Sequence, residues 1–295
     1  MFDLIGADHR PRAACCYSSA LSETELGGTT RALAGHILAA DGDSSAWPGG
    51  QGVSPATDDH ILATGRRSSA GLNWVTSLLD QLELEEPRIH VLSSRLIFHL
   101  LDALKDDAEV GARISLVEAA RSKLAWLHDQ ARDSAEYARD LSISYERLGD
   151  LYASLGEPAR ALEHYQKDLA IREELRRRAP SSAEYARDLS ISYMKLGDLQ
   201  VRLGEPARAL EHYQQALAIR EELRRRAPDS AQYARDLVVS YHRLAGIHHQ
   251  TGDRTLAGEF LGRCHDELRR MRATNTYLDP ALARLLNRLD AASGQ

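Results

Sequence analysis

The side chains whose types suit chemistry cluster toward the C-terminal end of this sequence. His248 and His249, with Asp253, Cys264 and His265, supply the donor types of a metal site or of a nucleophile and its base. Their spacing argues against both. Adjacent histidines on a helix diverge by about 100 degrees, and the HExxH pattern that would put two on one face is absent. They read as surface or groove histidines. His164 and His212 occupy equivalent places in a duplicated segment, which accounts for them without chemistry. Cys15 and Cys16 have no defined base beside them, and a thiol without one is a weak nucleophile. With GxSxG, P-loop and GxGxxG contexts also missing, no catalytic residue, metal or cofactor is assigned. The chain reads as noncatalytic.

Two arginine runs, Arg176 to Arg178 and Arg224 to Arg226, suggest phosphate contact at first sight. Glu173 and Glu174 stand one helical turn upstream of the first, and cations suit a helix C-terminus, so the runs read as self-compensated helix ends. Net charge is -6, from 37 basic and 43 acidic residues, so no global field recruits nucleic acid or an anionic membrane. Neither partner is expected. About 18 uncharged apolar residues never run together, and "MFDLIGADHR" lacks the basic-then-apolar order of a signal peptide. Three cysteines form no paired framework, so the expected compartment is the cytoplasm.

Two regions differ in character. Residues 1–85 hold half of the twenty glycines and read as a low-order segment, with short helices expected near 30–38 and 72–82. Residues 86–295 are rich in Leu, Ala, Arg and Glu at helical spacing. Sliding the chain by 48 residues lays "DSAEYARDLSISY" at Asp133 over "SSAEYARDLSISY" at Ser181 and "DSAQYARDLVVSY" at Asp229. The units are 133–180, 181–228 and 229–276, with a degenerate one at about 88–132 and a capping helix at about 279–292.

Each unit resolves into two helices. Asp133, Ser181 and Asp229 are predicted to cap the first, with Glu136, Glu184 and Gln232 as reciprocal partners. Tyr137, Leu141, Tyr145, Leu148, Tyr152 and Leu155 form its apolar stripe. Gly156 permits the left-handed turn, and Pro158 suits the first position of the second helix, which carries Ala161, Leu162, Tyr165, Leu169 and Leu175 inward. In the degenerate unit Ile97, Leu100 and Leu104 fall under Tyr145, Leu148 and Tyr152, and Ile114 and Leu127 under Leu162 and Leu175. Asp279 and Pro280 open the closing helix. The expected fold is all-α, an α-solenoid of stacked antiparallel helix pairs.

The residues Tyr145, Leu148, Gly149, Tyr152, Gly156, Ala161 and Tyr165, then Tyr193, Leu196, Gly197, Gly204, Ala209, Tyr213 and Ala216, resemble the tetratricopeptide repeat signature. A third unit keeps Tyr241, Leu244, Ala245, Gly252 and Ala257. The family period is about 34 residues, so 48 here implies longer helices of the extended bacterial type. Gln200, His248 and Asp168 depart from the pattern. The resemblance implies a binding scaffold whose first helices line a concave surface. Members that hold a C-terminal carboxylate use Lys and Asn there; the matching positions carry Glu146, Asp150, Met194, Asp198, His242 and Gly246, which speaks against such a clamp.

Units 133–180 and 181–228 share 40 of 48 positions, and five of the eight differences fall between 146 and 154 and their counterparts: Glu146 to Met194, Arg147 to Lys195, Tyr152 to Gln200, Ala153 to Val201, Ser154 to Arg202. A copied scaffold with one edited face points to recognition. The expected partner-binding residues are Glu146, Asp150, Ala153, Ser154, Met194, Asp198, Val201, Arg202, His242, His249 and Gln250. Asp150 and Asp198 favour a protein or peptide partner with basic or mixed charge. Two other roles fit the sequence: a sensor or regulatory module of a multi-component enzyme or signalling system, and self-assembly through exposed helix-pair ends.

Overall fold

Each first helix begins at a serine. Ser134, Ser182 and Ser230 accept the backbone N–H of Tyr137, Tyr185 and Tyr233 at 3.3, 3.2 and 3.3 Å. The expected caps Asp133, Ser181 and Asp229 stand one residue too early, because a tight turn occupies that position. The N–H of Ser134, Ser182 and Ser230 donates to the carbonyl of Ala131, Ala179 and Ala227, and the preceding residue lies inside the turn. The reciprocal partners shift out of register as well; Glu136 instead receives Arg95 at 2.9 Å. The second helices begin as expected, with Pro158 and Pro206 at their first positions.

The computed structural model describes residues 94, 95, 97, 98, 101, 110–274 and 276–294. The segment 1–85, its two expected helices, Cys15, Cys16, Leu100 and Leu104 lie outside these. In chain order the helices are α1 (Val110–Gln130), α2 (Ala135–Ser154), α3 (Pro158–Arg178), α4 (Ala183–Arg202), α5 (Pro206–Arg226), α6 (Ala231–Gln250), α7 (Arg254–Ala273) and α8 (Pro280–Ser293). No strand occurs among the described residues. The chain divides into two compact units, Met1–Leu155 and Gly156–Gln295.

In the first unit α1 packs on α2. Ile97, Phe98 and Leu101 are buried with Leu116, Val117, Ala120, Leu124 and Leu127 of α1 and Leu141 and Leu148 of α2. Arg95 bridges to the buried Asp140 at 3.0 Å. Burial raises the Asp140 carboxyl, and Arg95 offsets part of that rise.

In the second unit α3 to α8 pack in series, each on its neighbour in the chain. This is the solenoid architecture, in which a helix pair has an apolar flank that the next pair covers. Gly156, Gly204 and Gly252 take φ of 74°, 74° and 86° at the turns. The N–H of Glu205 returns to Gln200 O at 2.8 Å and that of Asp253 to His248 O at 2.9 Å, the closing bonds of a left-handed helix end. The core joins Tyr213, Leu217, Leu237, Val238, Leu244, Leu268 and Met271 to Leu282 and Leu286 of the closing helix α8. Asp279 caps α8 through Ala281 and Leu282 N–H, both at 2.9 Å. The stripe expected on the first helix is otherwise as read, except that Leu155 is 45 % exposed: it follows the last helical turn, beyond the reach of the packing.

Candidate functional site

Polar side chains repeated every 48 residues fix how each second helix meets the next first helix. Buried Arg172 on α3 donates to Asp188 O at 2.7 Å, and its counterpart Arg220 on α5 donates to Asp236 O at 2.8 Å. Tyr193 O–H reaches Glu173 at 2.9 Å, and Tyr241 O–H reaches Glu221 at 3.1 Å. Burial first, with the glutamate second, pushes both phenols up to about 12. Asp168, unusual at its position, is buried, pairs with Arg172 at 2.7 Å and accepts Ser192 O–H at 2.6 Å. At Ala216 that carboxylate is missing, and Arg220 turns to the hydroxyls of Ser190 and Ser240 at 3.1 and 2.9 Å. These connectors tie each second helix to the first helix that follows it. Their signal in the sequence is polar identity conserved between repeats on a helix flank, which reads there as solvated surface.

Against this frame the expected binding residues separate. Arg202, His242, His249 and Gln250 are exposed, and Asp198 and Val201 are half-buried. Met194 is not on the surface: it is 6 % exposed, lies in the core, and its sulfur accepts Ser240 O–H at 3.8 Å. Gln200, another edited position, is also buried. Part of the editing therefore adjusts packing against α6, because a first helix inside the stack has neighbours on both flanks and shows only a narrow stripe. In the first unit Glu146, Asp150 and Ala153 are half-buried and Ser154 is exposed, its hydroxyl donating to Leu151 O at 2.7 Å.

Asp198 is the centre of a small network. Tyr213 O–H donates to Oδ1 at 2.6 Å, and Arg243 Nε approaches the same oxygen at 2.8 Å. Burial chiefly, then Asp198, raises the Tyr213 phenol. The carboxylate that argued for a basic partner is thus already neutralised. His242, open at its edge, is held below the ordinary imidazole value by partial desolvation first, then by Arg243 and Arg288.

The chemistry-bearing residues toward the C-terminus have structural partners. His248 is buried and stacked on Phe260 at 5.5 Å, so it is neither a surface nor a groove residue. His265 Nε2 meets Asp290 at 2.7 Å. Burial pushes the Cys264 thiol up to about 11. Among the described residues no group of three His, Cys, Asp or Glu is placed to hold a metal ion. Four of the six arginines in the runs are ion-paired: Arg177 and Arg178 share Glu174, Arg224 meets Glu267 and Arg226 meets Glu222. Near the N-terminal end of α6 a cleft of about 800 Å³ is lined by Arg224, Arg225, Leu237, Tyr241 and Arg270. Two of its arginines are tied to Glu267. No described helix is long and apolar enough to cross a membrane.

Residues 140–222 match the family model described as tetratricopeptide repeat. Residues 191–293 match one described as a protein of unknown function (DUF2753). No curated protein matches the chain. Among solved structures, BtubC (BKLC) from P. vanneervenii is 16% identical over 92% of this chain and 89% of its own, with a TM-score of 0.53. A putative kinesin light chain of Podosopora anserina with nearly identical TPR-like repeats is 16% identical over 84% of this chain and 99% of its own, with a TM-score of 0.51. At such identity the likeness is one of fold.

Proposed function

With residues 140–222 belonging to the tetratricopeptide repeat family, we propose that the chain is a noncatalytic scaffold that holds a peptide or partner domain against its first helices. The observation that carries this reading is the contrast within α4 and α6. One flank is fixed by the buried connectors of Arg172 and Arg220, while Arg202, His242, His249 and Gln250 stand open on the remaining stripe. A backbone already held in place presents these side chains with little backbone ordering cost on binding. Glu146, Asp150, Ala153 and Ser154 hold the corresponding register on α2 and belong to the same proposal. The compartment we assign is the cytoplasm, where a thiol such as Cys264 stays reduced.

Crosslinked affinity capture tests the reading. Wild type is compared with an Arg202→Ala, His249→Ala, Gln250→Ala variant whose helicity by circular dichroism is unchanged. Partners recovered with wild type and lost from the variant support it. Identical partner sets at full occupancy overturn it.

A further inference from the structure

We infer that the open face of α4 and α6 is built for an acidic peptide segment, its carboxylates meeting Arg202 and the histidines His242 and His249, and its backbone passing over Gly246. The inference rests on the scaffold reading and adds the partner's chemistry. Residues 191–202 and 239–250 contain one carboxylate, Asp198, against Lys195, Arg202, His242, Arg243, His248 and His249. Asp198 is bonded to Tyr213 and offsets the charge of Arg243, and His248 is buried, so the groups left facing outward are Arg202, His242 and His249. Arg288 of α8 lies close enough to disfavour charge on His242, which extends the positive field beyond α6.

The shape agrees with the charge. Lys195, Asp198 and Arg202 follow one another by three and four residues on α4, and His242, Gly246 and Gln250 by four on α6, so each set forms one stripe. Arg243 joins the stripes through its 2.8 Å contact to Asp198. Nothing lies within 4 Å of where a Cβ on Gly246 would be, so the helix backbone there is bare and a chain can approach it closely. His242 and Arg243 stand about one turn before that gap and His249 about one turn after it. A nucleic acid would also supply negative charge, but the net charge of -6 opposes a long polyanion more strongly than a short acidic segment confined to this face. The nearby rings of Tyr193 and Tyr241 already pack against His212 and Phe260, with centroids 5.9 and 6.3 Å apart, rather than standing open for base stacking.

The test uses the full chain, isotope-labelled, and three fluorescein-labelled probes: a peptide alternating Glu and Ala, one alternating Lys and Ala, and a single-stranded oligonucleotide of matching charge. The expected result is saturable binding of the Glu–Ala peptide that shifts the amide signals of Arg202, Gly246 and His249 and weakens with salt. Arg202→Glu with His249→Glu, both at exposed sites, should weaken it about tenfold or more. Gly246→Phe, whose Cβ meets no atom within 4 Å, should block it with helicity by circular dichroism unchanged. Preference for the Lys–Ala peptide at these residues overturns the acidic assignment and leaves the scaffold reading standing. Tighter oligonucleotide binding through the same residues overturns it in favour of nucleic acid. If no probe binds and captured partners ignore these substitutions, both readings fall.

Discussion

Gly197 and Tyr213 show how one pair of residues constrains a repeat. A Cβ on Gly197 would lie 2.5 Å from Tyr213 Cε1, and the ring cannot swing away because its hydroxyl is anchored on Asp198 at 2.6 Å. One repeat later the same positions hold Ala245 and Leu261. The glycine is needed where the tyrosine stands and dispensable where it does not. Gly197→Ala should therefore destabilise the second unit by about 1–3 kcal/mol through overpacking. In a Tyr213→Leu background the same change should cost clearly less, since the clash is gone and alanine favours a helix. Urea unfolding of the four proteins of this cycle measures the coupling; simple additivity would refute it. The tyrosine and glycine were both legible as repeat markers, but their collision was not, because their separation of sixteen residues spans two helices.

Helix-scale behaviour turns on Gly246 and on α8. Gly246 lies mid-helix with open space beside it, so Gly246→Ala should raise stability by about 0.5–1 kcal/mol, seen as a higher Tm. The opposite signs expected at Gly197 and Gly246 separate a packing glycine from one that only leaves a gap. The closing helix α8 is clasped by Asp290, which meets His265 at 2.7 Å, Arg269 at 2.9 Å and Arg272 at 3.2 Å. His265 first, then Arg269, holds the Asp290 carboxyl at about 2, below its ordinary 3.8. A depressed carboxylate stabilises the fold at and above its ordinary value and loses that contribution as pH falls through its folded value. Protection factors at Leu282 and Leu286, which correct for the intrinsic exchange rate, should accordingly fall between about pH 4 and pH 2, ahead of those in α5. Asp290→Asn should remove most of that pH dependence. Had the capping serines been chosen by sequence preference alone, Asp133 and Asp229 would have served as well; the turn closed by Ala131 and Ala227 carbonyls selected Ser134 and Ser230.

Across the second unit, helices that contact chiefly their chain neighbours couple their stabilities through those contacts. Leu244 is fully buried in α6, so Leu244→Ala should cost about 2–5 kcal/mol and lower hydrogen-exchange protection in α5 and α7 along with α6. Loss confined to α6 would show that the helices open singly.

The helix pairs, their 48-residue period, the glycine turns and the proline starts were fixed by local chemistry written into each repeat, and the sequence determined them unaided. So was the pairing of Arg177 and Arg178 with Glu174 and of Arg226 with Glu222, which lie within one turn, whereas Arg224 found Glu267 on another helix. What only the tertiary structure decided is which polar residues remain available. Met194 went inside, His248 went under Phe260, and Asp198 was claimed by Tyr213 and Arg243. The physical reason is that a side chain's charge acts on a partner only after its neighbours have been satisfied, and those neighbours come from other helices, up to 45 residues away for Arg243.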